Sequence, residues 1–488
     1  MLHCSVFLCG AALMIIELTG SRILAPFLGT SLVVWTSLIG IILASLSLGA
    51  WWGGILADRR PSARLLGRIV LLAAWATAAI GLSKSWVLPF LQGAGSLHVT
   101  AIVATLVLFA PASVLLGMVA PFAVRLQLAD TEVAGRTAGS LYALSTIGSI
   151  AGTFLAGFVL IAWVGSTAIL FITAAVLACA AWLAAPSSRA LPLLSVLLFA
   201  LALLLGRQQD QRLEQAGFLD RDTPYNRVLV YTSREETTGR LTRDLVTGPT
   251  GRQSAMYLDD PEALALPYTR FYRLVEHYRP GMRRMLVLGG GGFSFPKYAL
   301  AQYPEVQIDV VELDPGMVAL ARSHFALQDH PRLRVIEADA RTYLQQTTSR
   351  YDVILCDVFN SHYAIPFHLV TVEAAQLMRA ALAPSGVLLV NLLAAPEGVG
   401  SRFYQALHAT LRTAFPEVQP YAVQAPADPH RWQNLMLAAL TTAPPVQVPA
   451  DPSLRSMLAH ALPPPAATIA AFTDEFAPVD RYLGAARP

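Results

Sequence analysis

The second half of the chain contains a glycine run and three acids, which are residues of the types that form nucleoside-binding sites. Three acids, Glu312, Asp339 and Asp357, each close an apolar stretch, and the run that precedes them is Gly289, Gly290, Gly291 and Gly292. Glycines let the main chain approach a ligand, and an acid about 20 residues beyond such a turn accepts both ribose hydroxyl hydrogens. Glu312 lies 312 − 292 = 20 residues past the last glycine. Asp339, followed by Ala340, is suited to accept a hydrogen bond from an adenine amino group, to cap a helix, or to do both.

The elements around these residues follow the alternation of a doubly wound α/β domain. The periodicity predicts strands over 285–288, 307–312, 333–337, 352–357 and 386–392, and helices over 295–302, 315–326, 340–346 and 371–383. The three acids then meet at the carboxyl edge of a parallel sheet, where such sheets bind ligands. Residues 224–260 alternate in strand fashion between glycine-containing turns, which predicts a small β-rich cap before the sheet.

The first 206 residues have a different composition. The whole chain is 55% hydrophobic and only 14% charged, against about 25% charged residues in an ordinary soluble domain. Apolar segments long enough for bilayer-spanning helices, about 20 residues each, fall at 3–18, 32–56, 67–91, 98–120, 138–163, 167–185 and 190–206. The sequence therefore predicts an integral protein of the inner or plasma membrane, and the lipid bilayer is one of its predicted partners.

Positive charge indicates which loops face the cytoplasm. Residues 58–68 hold four arginines, and the loops near Arg125, Arg136 and Arg189 fall on the same side by alternation. Seven spans would then put the carboxy-terminal domain outside, whereas the nucleoside metabolites that such a site binds are cytosolic. We expect the domain on the cytoplasmic side, with one segment re-entrant or interfacial, and 167–185 and 190–206 are the weakest spans.

Several polar and small residues inside the apolar half have two readings each. Glu17 and Arg22 are either a polar-ligand site or a pair that satisfies itself at the membrane interface. A row of glycines in the fifth segment favours close helix packing within the chain, with a homodimer interface as the alternative; it consists of Gly139, Gly148, Gly152 and Gly157.

The charge and the cysteines exclude some classes of partner. The net charge of +3 does not indicate nucleic acid, because the arginines cluster beside the apolar segments. The four cysteines have neither metal nor disulfide spacing, so we expect no metal site and small apolar roles for them.

The order of glycine turn, ribose acid, adenine acid and strand-four acid is that of S-adenosylmethionine-dependent methyltransferase folds, and within these the array resembles the spermidine synthase (polyamine aminopropyltransferase) family. The apolar half is similar to membrane-fused members, whose amino-terminal part resembles part of a major-facilitator transporter. The stretches that carry this second resemblance are 17–22, 53–60 and 139–143. The resemblance implies a multi-span helical membrane domain (1–206), a β-rich cap (207–280), a Rossmann-like nucleoside-binding domain of the methyltransferase type (281–445) and a Pro/Ala-rich linker with a carboxy-terminal tail (446–488).

The resemblance also implies roles for individual residues. Glu312 holds the ribose, Asp339 the adenine, and Asp357 helps deprotonate an attacking amine beneath the lid loop 358–368. By its residue type, and not by the resemblance, His362 within that loop is either an alternative base or a residue that packs the lid. The amine side is formed by Tyr225, Asn226, Gln253, Tyr268, Arg270, Asn360 and Tyr363.

Four departures from the family pattern fall around that amine. Gly292 stands where the family has an aspartate, and Asn360 replaces a second acid. Tyr225-Asn226 and Tyr268-Thr269-Arg270 replace Tyr-Gln and Tyr-His-Glu. Arg270 adds positive charge where a dicationic diamine would bind, and this disfavours such a substrate.

Three functions remain open at this point. The first is aminopropyl transfer from decarboxylated S-adenosylmethionine, or S-adenosylmethionine, to a small amine or a membrane-borne acceptor, with release of methylthioadenosine. The second is a changed S-adenosylmethionine reaction, either methyl or carboxyaminopropyl transfer or breakdown of the donor. The third is a non-catalytic membrane sensor of the nucleotide.

Overall fold

The computed structural model describes residues 1–29, 31–91, 96–128, 134–186, 190–235, 238–248, 251–358, 365–443, 449–465 and 469–484. The chain forms two compact units, Met1–Arg227 and Val228–Pro488. The first unit includes α10, which continues beyond the predicted boundary at residue 206 to Gln215, and the short strand that follows it.

The first unit is a bundle of apolar helices. Its elements are α1 (Leu2–Leu28), α2 (Leu32–Arg59), α3 (Ala63–Leu91), α4 (Leu97–Leu108), α5 (Ala110–Gly117), α6 (Val119–Gln127), α7 (Ala134–Leu155), a π-helical turn (Ala156–Leu160), α8 (Ile161–Trp163), α9 (Ser166–Ala184), α10 (Ala190–Gln215) and β1 (Leu219–Asp222). By length and composition, seven helical stretches of the described chain could cross a membrane. The predicted segment 98–120 is divided among α4, α5 and α6, and Pro111 and Pro121, which lack an N–H, follow the two breaks.

Glycines bring two helices of this bundle into close contact. A Cβ atom on Gly148 would lie 2.2 Å from the Phe7 carbonyl oxygen, and one on Gly152 would lie 2.3 Å from that of Ala11. These two glycines of α7 therefore pack within the chain against α1. Space is open beside Gly139 and Gly157.

The two ends of the bundle carry different groups. At one end, Arg125 in the last turn of α6 pairs with Asp58 at the end of α2, at 3.2 Å. At the other end, Lys84 near the end of α3 donates to the Thr167 hydroxyl at 2.6 Å, and Asp222 of β1 accepts the first N–H of α9 at 2.6 Å. The segment 219–227 thus lies at the end of the bundle opposite the Arg-rich loop 58–68.

The second unit joins a small antiparallel sheet to a large α/β sheet. Its strands are β2 (Arg227–Arg234), β3 (Leu241–Val246), β4 (Ser254–Tyr257), β5 (Arg284–Leu288), β6 (Gln307–Glu312), β7 (Leu333–Glu337), β8 (Tyr351–Cys356), β9 (Leu382–Ala394), β10 (Glu417–Ala422) and β11 (Gln433–Leu440). Its helices are α11 (Pro267–Phe271), α12 (Leu274–Tyr278), α13 (Ser294–Gln302), α14 (Pro315–His324), α15 (Ala340–Gln346), α16 (Val372–Ala381), α17 (Arg402–Ala414), α18 (Pro452–Leu458) and α19 (Val479–Gly484).

The large sheet has the strand order β10-β11-β9-β8-β5-β6-β7. Strands β5 to β9 run parallel, and β11 and β10 are antiparallel to their neighbours. This mixed sheet is the doubly wound α/β arrangement that the alternating pattern predicted, and its fold is the Rossmann-like, methyltransferase type that the resemblance implied. Alternate residues of β5 fill two cores: Leu286 and Leu288 pack on the face of α16 and α17, and Met285 and Val287 on the face of α12 and α13.

Candidate functional site: a nucleoside-type edge with a partly enclosed carboxylate

The predicted acids lie side by side because their strands are adjacent. At the carboxyl edge, the Asp357 N–H donates to the Leu288 carbonyl oxygen at 2.9 Å, and the Gly289 N–H donates to that of Val311 at 2.9 Å. One strand further, the Ala338 N–H donates to the Glu312 carbonyl oxygen at 3.1 Å. The hydrogen bonds continue the ladder past the strand ends and thereby fix the spacing of the acids.

Glu312 is held by the main chain. One carboxylate oxygen accepts the N–H groups of Gly290 and Gly291 at 2.7 and 3.2 Å, and the other accepts that of Asp314 at 3.0 Å. The residue is 9% exposed. Burial raises the pKa of Glu312, and the three N–H donors oppose that rise. The oxygen bonded to Asp314 keeps a free lone pair, so the carboxylate can still accept a hydrogen bond from a ligand hydroxyl.

The glycine run is required by the close approach of neighbouring groups. Gly289 has φ +89°, and a Cβ atom there would lie 2.4 Å from the Asp357 carbonyl oxygen. At Gly292, a Cβ atom would lie 2.8 Å from that of Ser254 and 3.1 Å from the Phe325 ring. The Ser254 hydroxyl accepts the Gly292 N–H at 2.9 Å. The cap strand β4 therefore fills the space into which the aspartate expected at position 292 would project.

Asp339 caps α15 and faces a histidine. One carboxylate oxygen accepts the Thr342 N–H at 2.8 Å, and the other lies 3.4 Å from Nε2 of His368. Partial burial alone would raise the pKa of Asp339, but the Thr342 N–H and His368 together hold it below its usual value. The helix-capping and ligand-binding readings remain compatible, because the oxygen near His368 also has room for a second donor. Ala340, the first residue of α15, is buried.

Asp357 is held by side chains. It accepts a hydrogen bond from the Tyr268 hydroxyl at 3.2 Å and one from the Asn391 amide at 3.1 Å. The Tyr272 hydroxyl also lies near this carboxylate, beyond the distance of an ordinary hydrogen bond. Asp357 keeps some accessible surface. Its partial burial raises the pKa of the carboxyl, and the side chains of Asn391, Tyr268 and Tyr272 oppose that rise. Among the described residues, no lysine or arginine pairs with it.

A chain of amides fixes the orientation of Asn391. The Asn434 amide donates to the Asn391 side-chain oxygen at 3.0 Å. Gln424 in turn donates to the Asn434 side chain at 3.1 Å and accepts its main-chain N–H at 3.1 Å. With its oxygen occupied by a donor, Asn391 presents its NH2 group to Asp357. Asn391 and Asn434 are therefore positioning residues for the carboxylate.

The predicted amine-side residues are distributed unevenly. The main-chain carbonyl oxygen of Gln253 lies 3.0 Å from the Tyr268 hydroxyl, which shares its one proton between this oxygen and Asp357. The Gln253 main chain therefore lies at the Asp357 site, whereas its side-chain oxygen accepts the Thr247 hydroxyl. Arg270 donates instead to the carbonyl oxygens of Leu264 and Ala265 at 3.0 and 3.3 Å, which ties its guanidinium to its own segment. Tyr225 and Asn226 belong to the first unit, and Tyr225 is 49% exposed. Asn360, His362 and Tyr363 lie outside the described residues.

Sequence reasoning did not identify three groups at this edge: Ser254, Tyr272 and Asn391. Asn391 carries the clearest signal, because it is the one polar residue in the apolar run Val387–Leu393 of β9. A buried amide needs a hydrogen-bond partner. Its partner could not be found from spacing, because Asp357 is on another strand.

Comparison with known proteins finds similarity in the second unit. Residues 272–446 match the family model for the spermine/spermidine synthase domain. A polyamine aminopropyltransferase from Vibrio vulnificus is 32% identical over 196 residues, which cover 39% of this chain and 62% of that enzyme. The chain thus spans less than two thirds of that relative.

A second relative extends over both units. Polyamine aminopropyltransferase 2 from Ralstonia nicotianae is 26% identical over 459 residues, covering 87% of this chain and 84% of the relative. Among solved structures, a probable spermidine synthase from Corynebacterium glutamicum is 23% identical with a TM-score of 0.40, covering 48% of this chain and 83% of that one.

The domain match and the named homologues support a spermidine synthase-like domain in the second unit.

Proposed function

We propose that this protein is a membrane-bound, aminopropyltransferase-like enzyme that uses decarboxylated S-adenosylmethionine or S-adenosylmethionine as donor substrate. The supporting observation is Asp357, a carboxylate at the nucleoside edge that neutral side chains orient and no described cation pairs with. Such a group is suited to pair with an ammonium group and to take the proton that must leave before the nitrogen lone pair can attack.

The chemistry would proceed as one displacement. The lone pair of the acceptor nitrogen attacks the donor methylene carbon bonded to the sulfonium, and a C–N bond forms as the C–S bond breaks. The bonding pair returns to sulfur, which leaves as the neutral thioether of methylthioadenosine. The proton of the attacking nitrogen passes to Asp357, whose raised pKa brings it nearer to the range in which it accepts protons.

Each side of the site would contribute a separate task. Glu312 would accept one ribose hydroxyl through its free lone pair and Asp339 the purine amino group, and together they place the donor carbon. Tyr268 and Asn391 would keep the Asp357 carboxylate aimed at the attacking nitrogen.

A changed reaction is the second candidate, and the surroundings of Gly292 favour it. Ser254 and Phe325 leave no room for the acid that family members carry at that position. One carboxylate that would hold a cationic substrate group is therefore missing. Methyl or carboxyaminopropyl transfer to a membrane acceptor, or donor breakdown, would require less negative charge there.

Product analysis separates these functions. We would incubate the purified full chain with each donor, with and without putrescine, and identify the nucleosides released. Methylthioadenosine formed only with diamine supports aminopropyl transfer, and its formation without acceptor identifies a lyase. S-adenosylhomocysteine identifies methyl transfer, and tight nucleoside binding without turnover identifies a sensor.

We also propose that the first unit spans the bilayer, on the length and apolarity of the seven helical stretches found among its described residues. The cytosolic origin of the donor places the second unit in the cytoplasm. The positive-inside rule opposes this placement, because the segment 219–227 lies at the end of the bundle opposite the Arg-rich loop. A phosphatase fused after Pro488, active only outside the cytosol, decides between them: high activity would refute the cytoplasmic placement.

A further inference from the structure

The carboxy-terminal segment 469–484 packs onto the nucleotide-binding domain. Phe472 is 1% exposed, its N–H donates to the Thr410 hydroxyl at 2.9 Å, and its carbonyl oxygen accepts the Val372 N–H at 2.8 Å. Further along, Val479 and Leu483 are buried in the core cluster of α16 and α17. The segment is therefore part of the folded domain, which gives its polar residues fixed positions.

Asp474 in this segment joins two helix amino termini. One carboxylate oxygen accepts the hydroxyl of Thr371, the cap of α16, at 2.6 Å, and the other accepts an N–H of Arg341 at 2.7 Å. The Asp474 N–H also donates to Glu373 at 3.0 Å. Arg341 is the second residue of α15, and only 13% of its side chain is exposed.

Arg341 carries this contact to the proposed purine pocket. Its other terminal nitrogen donates to the His368 carbonyl oxygen at 3.1 Å. The guanidinium is planar, so fixing one edge on Asp474 also fixes the edge that holds His368. The imidazole of His368 then lies 3.4 Å from the outer oxygen of Asp339. A continuous path of polar contacts thus leads from Asp474 through Arg341 and His368 to Asp339.

We propose that the carboxy-terminal segment completes the purine-selecting part of the nucleoside site, with Asp474, Arg341 and His368 as positioning residues for Asp339. Nε2 of His368 orients the Asp339 carboxylate, so that its free lone pair meets an amino group on the purine. A 6-oxo purine would place an acceptor against that carboxylate and be rejected. This inference rests on the nucleoside site of the proposed function and deepens it.

The test compares two nucleosides on the full chain in detergent, by calorimetry at one fixed pH. Methylthioadenosine carries the 6-amino group and methylthioinosine the 6-oxo group, and neither requires turnover. Asp474→Asn should raise the Kd for methylthioadenosine by roughly tenfold, the effect of losing one hydrogen bond to a charged group. The Kd for methylthioinosine should change little, so the preference for the amino purine falls.

Matched variants locate the effect. Glu475→Gln changes the neighbouring exposed acid, for which the described residues provide no hydrogen bond or ion pair, and should leave both Kd values unchanged. His368→Gln keeps an N–H donor and should preserve the preference, whereas His368→Leu should reproduce the loss. Asp474→Asn combined with His368→Leu should lose no more than either alone, because both act through one contact.

Three results would overturn the inference. Asp474→Asn could leave both Kd values at the wild-type level, or it could weaken both nucleosides by the same factor, which is the result of a purely structural role. His368→Leu could keep the full preference for the amino purine. Absence of any methylthioadenosine binding by the wild-type chain is a different failure, since it removes the proposed nucleoside site itself.

Discussion

Glu312 and Asp357 are carboxylates at neighbouring regions of one sheet edge, and the protein holds them by different means. Three main-chain N–H groups surround Glu312, two from the glycine turn and one from Asp314. Asp357 is held by the side chains of Tyr268 and Asn391. Both have a pKa raised first of all by burial.

This difference separates what the fold fixes from what individual residues decide. Main-chain donors are present in any sequence that forms the turn, so the Glu312 region depends on backbone shape and on the absence of Cβ atoms. The Asp357 region depends on three or four side chains, each replaceable without changing the sheet. Departures from the family pattern, at Gly292, Asn360 and Arg270, belong to the amine side. The proposed donor site and the proposed acceptor site should therefore respond differently to substitution.

Asp357→Asn should have the largest effect, and on turnover alone. Removing the proposed proton acceptor should lower kcat by about 10²-fold or more, while the Kd for methylthioadenosine stays within about threefold of wild type, since an amide of the same shape adds no clash. The rate of product release under saturating donor and acceptor measures kcat, and calorimetry measures the Kd for methylthioadenosine. Unchanged kcat would remove Asp357 from the reaction.

The same variant tests the electrostatics. The pKa of Asp357 is raised in the folded state, so wild-type stability falls as the pH rises through that value and the buried carboxyl loses its proton. At pH values above the raised pKa of Asp357, the Asp357→Asn variant should therefore be at least as stable as the wild-type protein. The two proteins should converge at lower pH, where the carboxyl is protonated. Thermal unfolding at several pH values checks the sign.

Glu312→Gln should act on binding. A side-chain NH2 group cannot accept the N–H groups that the carboxylate holds, so one or two main-chain donors lose their acceptor, at about 1–3 kcal/mol each. We expect the Kd for methylthioadenosine to rise by roughly 10²-fold. Glu337→Gln is the control, since Glu337 pairs with Glu312 at the adjacent strand end but is exposed. Equal effects of the two substitutions would show that Glu312 has no special role.

The sequence predicted the elements of the Glu312 region well because local patterns encode them. Period-two runs located β6, β7 and β8 to within a residue at each end, and the 20-residue spacing identified Glu312. The cap function of Asp339 also follows from its place before α15. Each of these depends on residues close together in the chain.

The Asp357 region was harder to predict because its contacts join distant parts of the chain. Tyr268 was identified through a family motif, but its contact with Asp357 depends on the placement of α11 against β8. Asn391 required knowledge of the strand order, and Asp474 required the path of the tail. Arg270 was assigned by its charge, whereas its guanidinium is used by main-chain carbonyls of its own segment.

Gly292→Ala should give the smallest effect and tests whether space limits the glycine turn at the position of the missing amine-side acid. Its Cβ atom would meet Ser254 at 2.8 Å and Phe325 at 3.1 Å, and overpacking of this kind destabilises by about 1–3 kcal/mol. Thermal unfolding should show this loss. Adding Ser254→Gly, which removes the opposing Cβ atom, should recover part of it. If Gly292→Ala and Gly292→Asp were both as stable as wild type, the turn would have room for the family's acid, and the absence of that acid would reflect the substrate rather than the packing of β4.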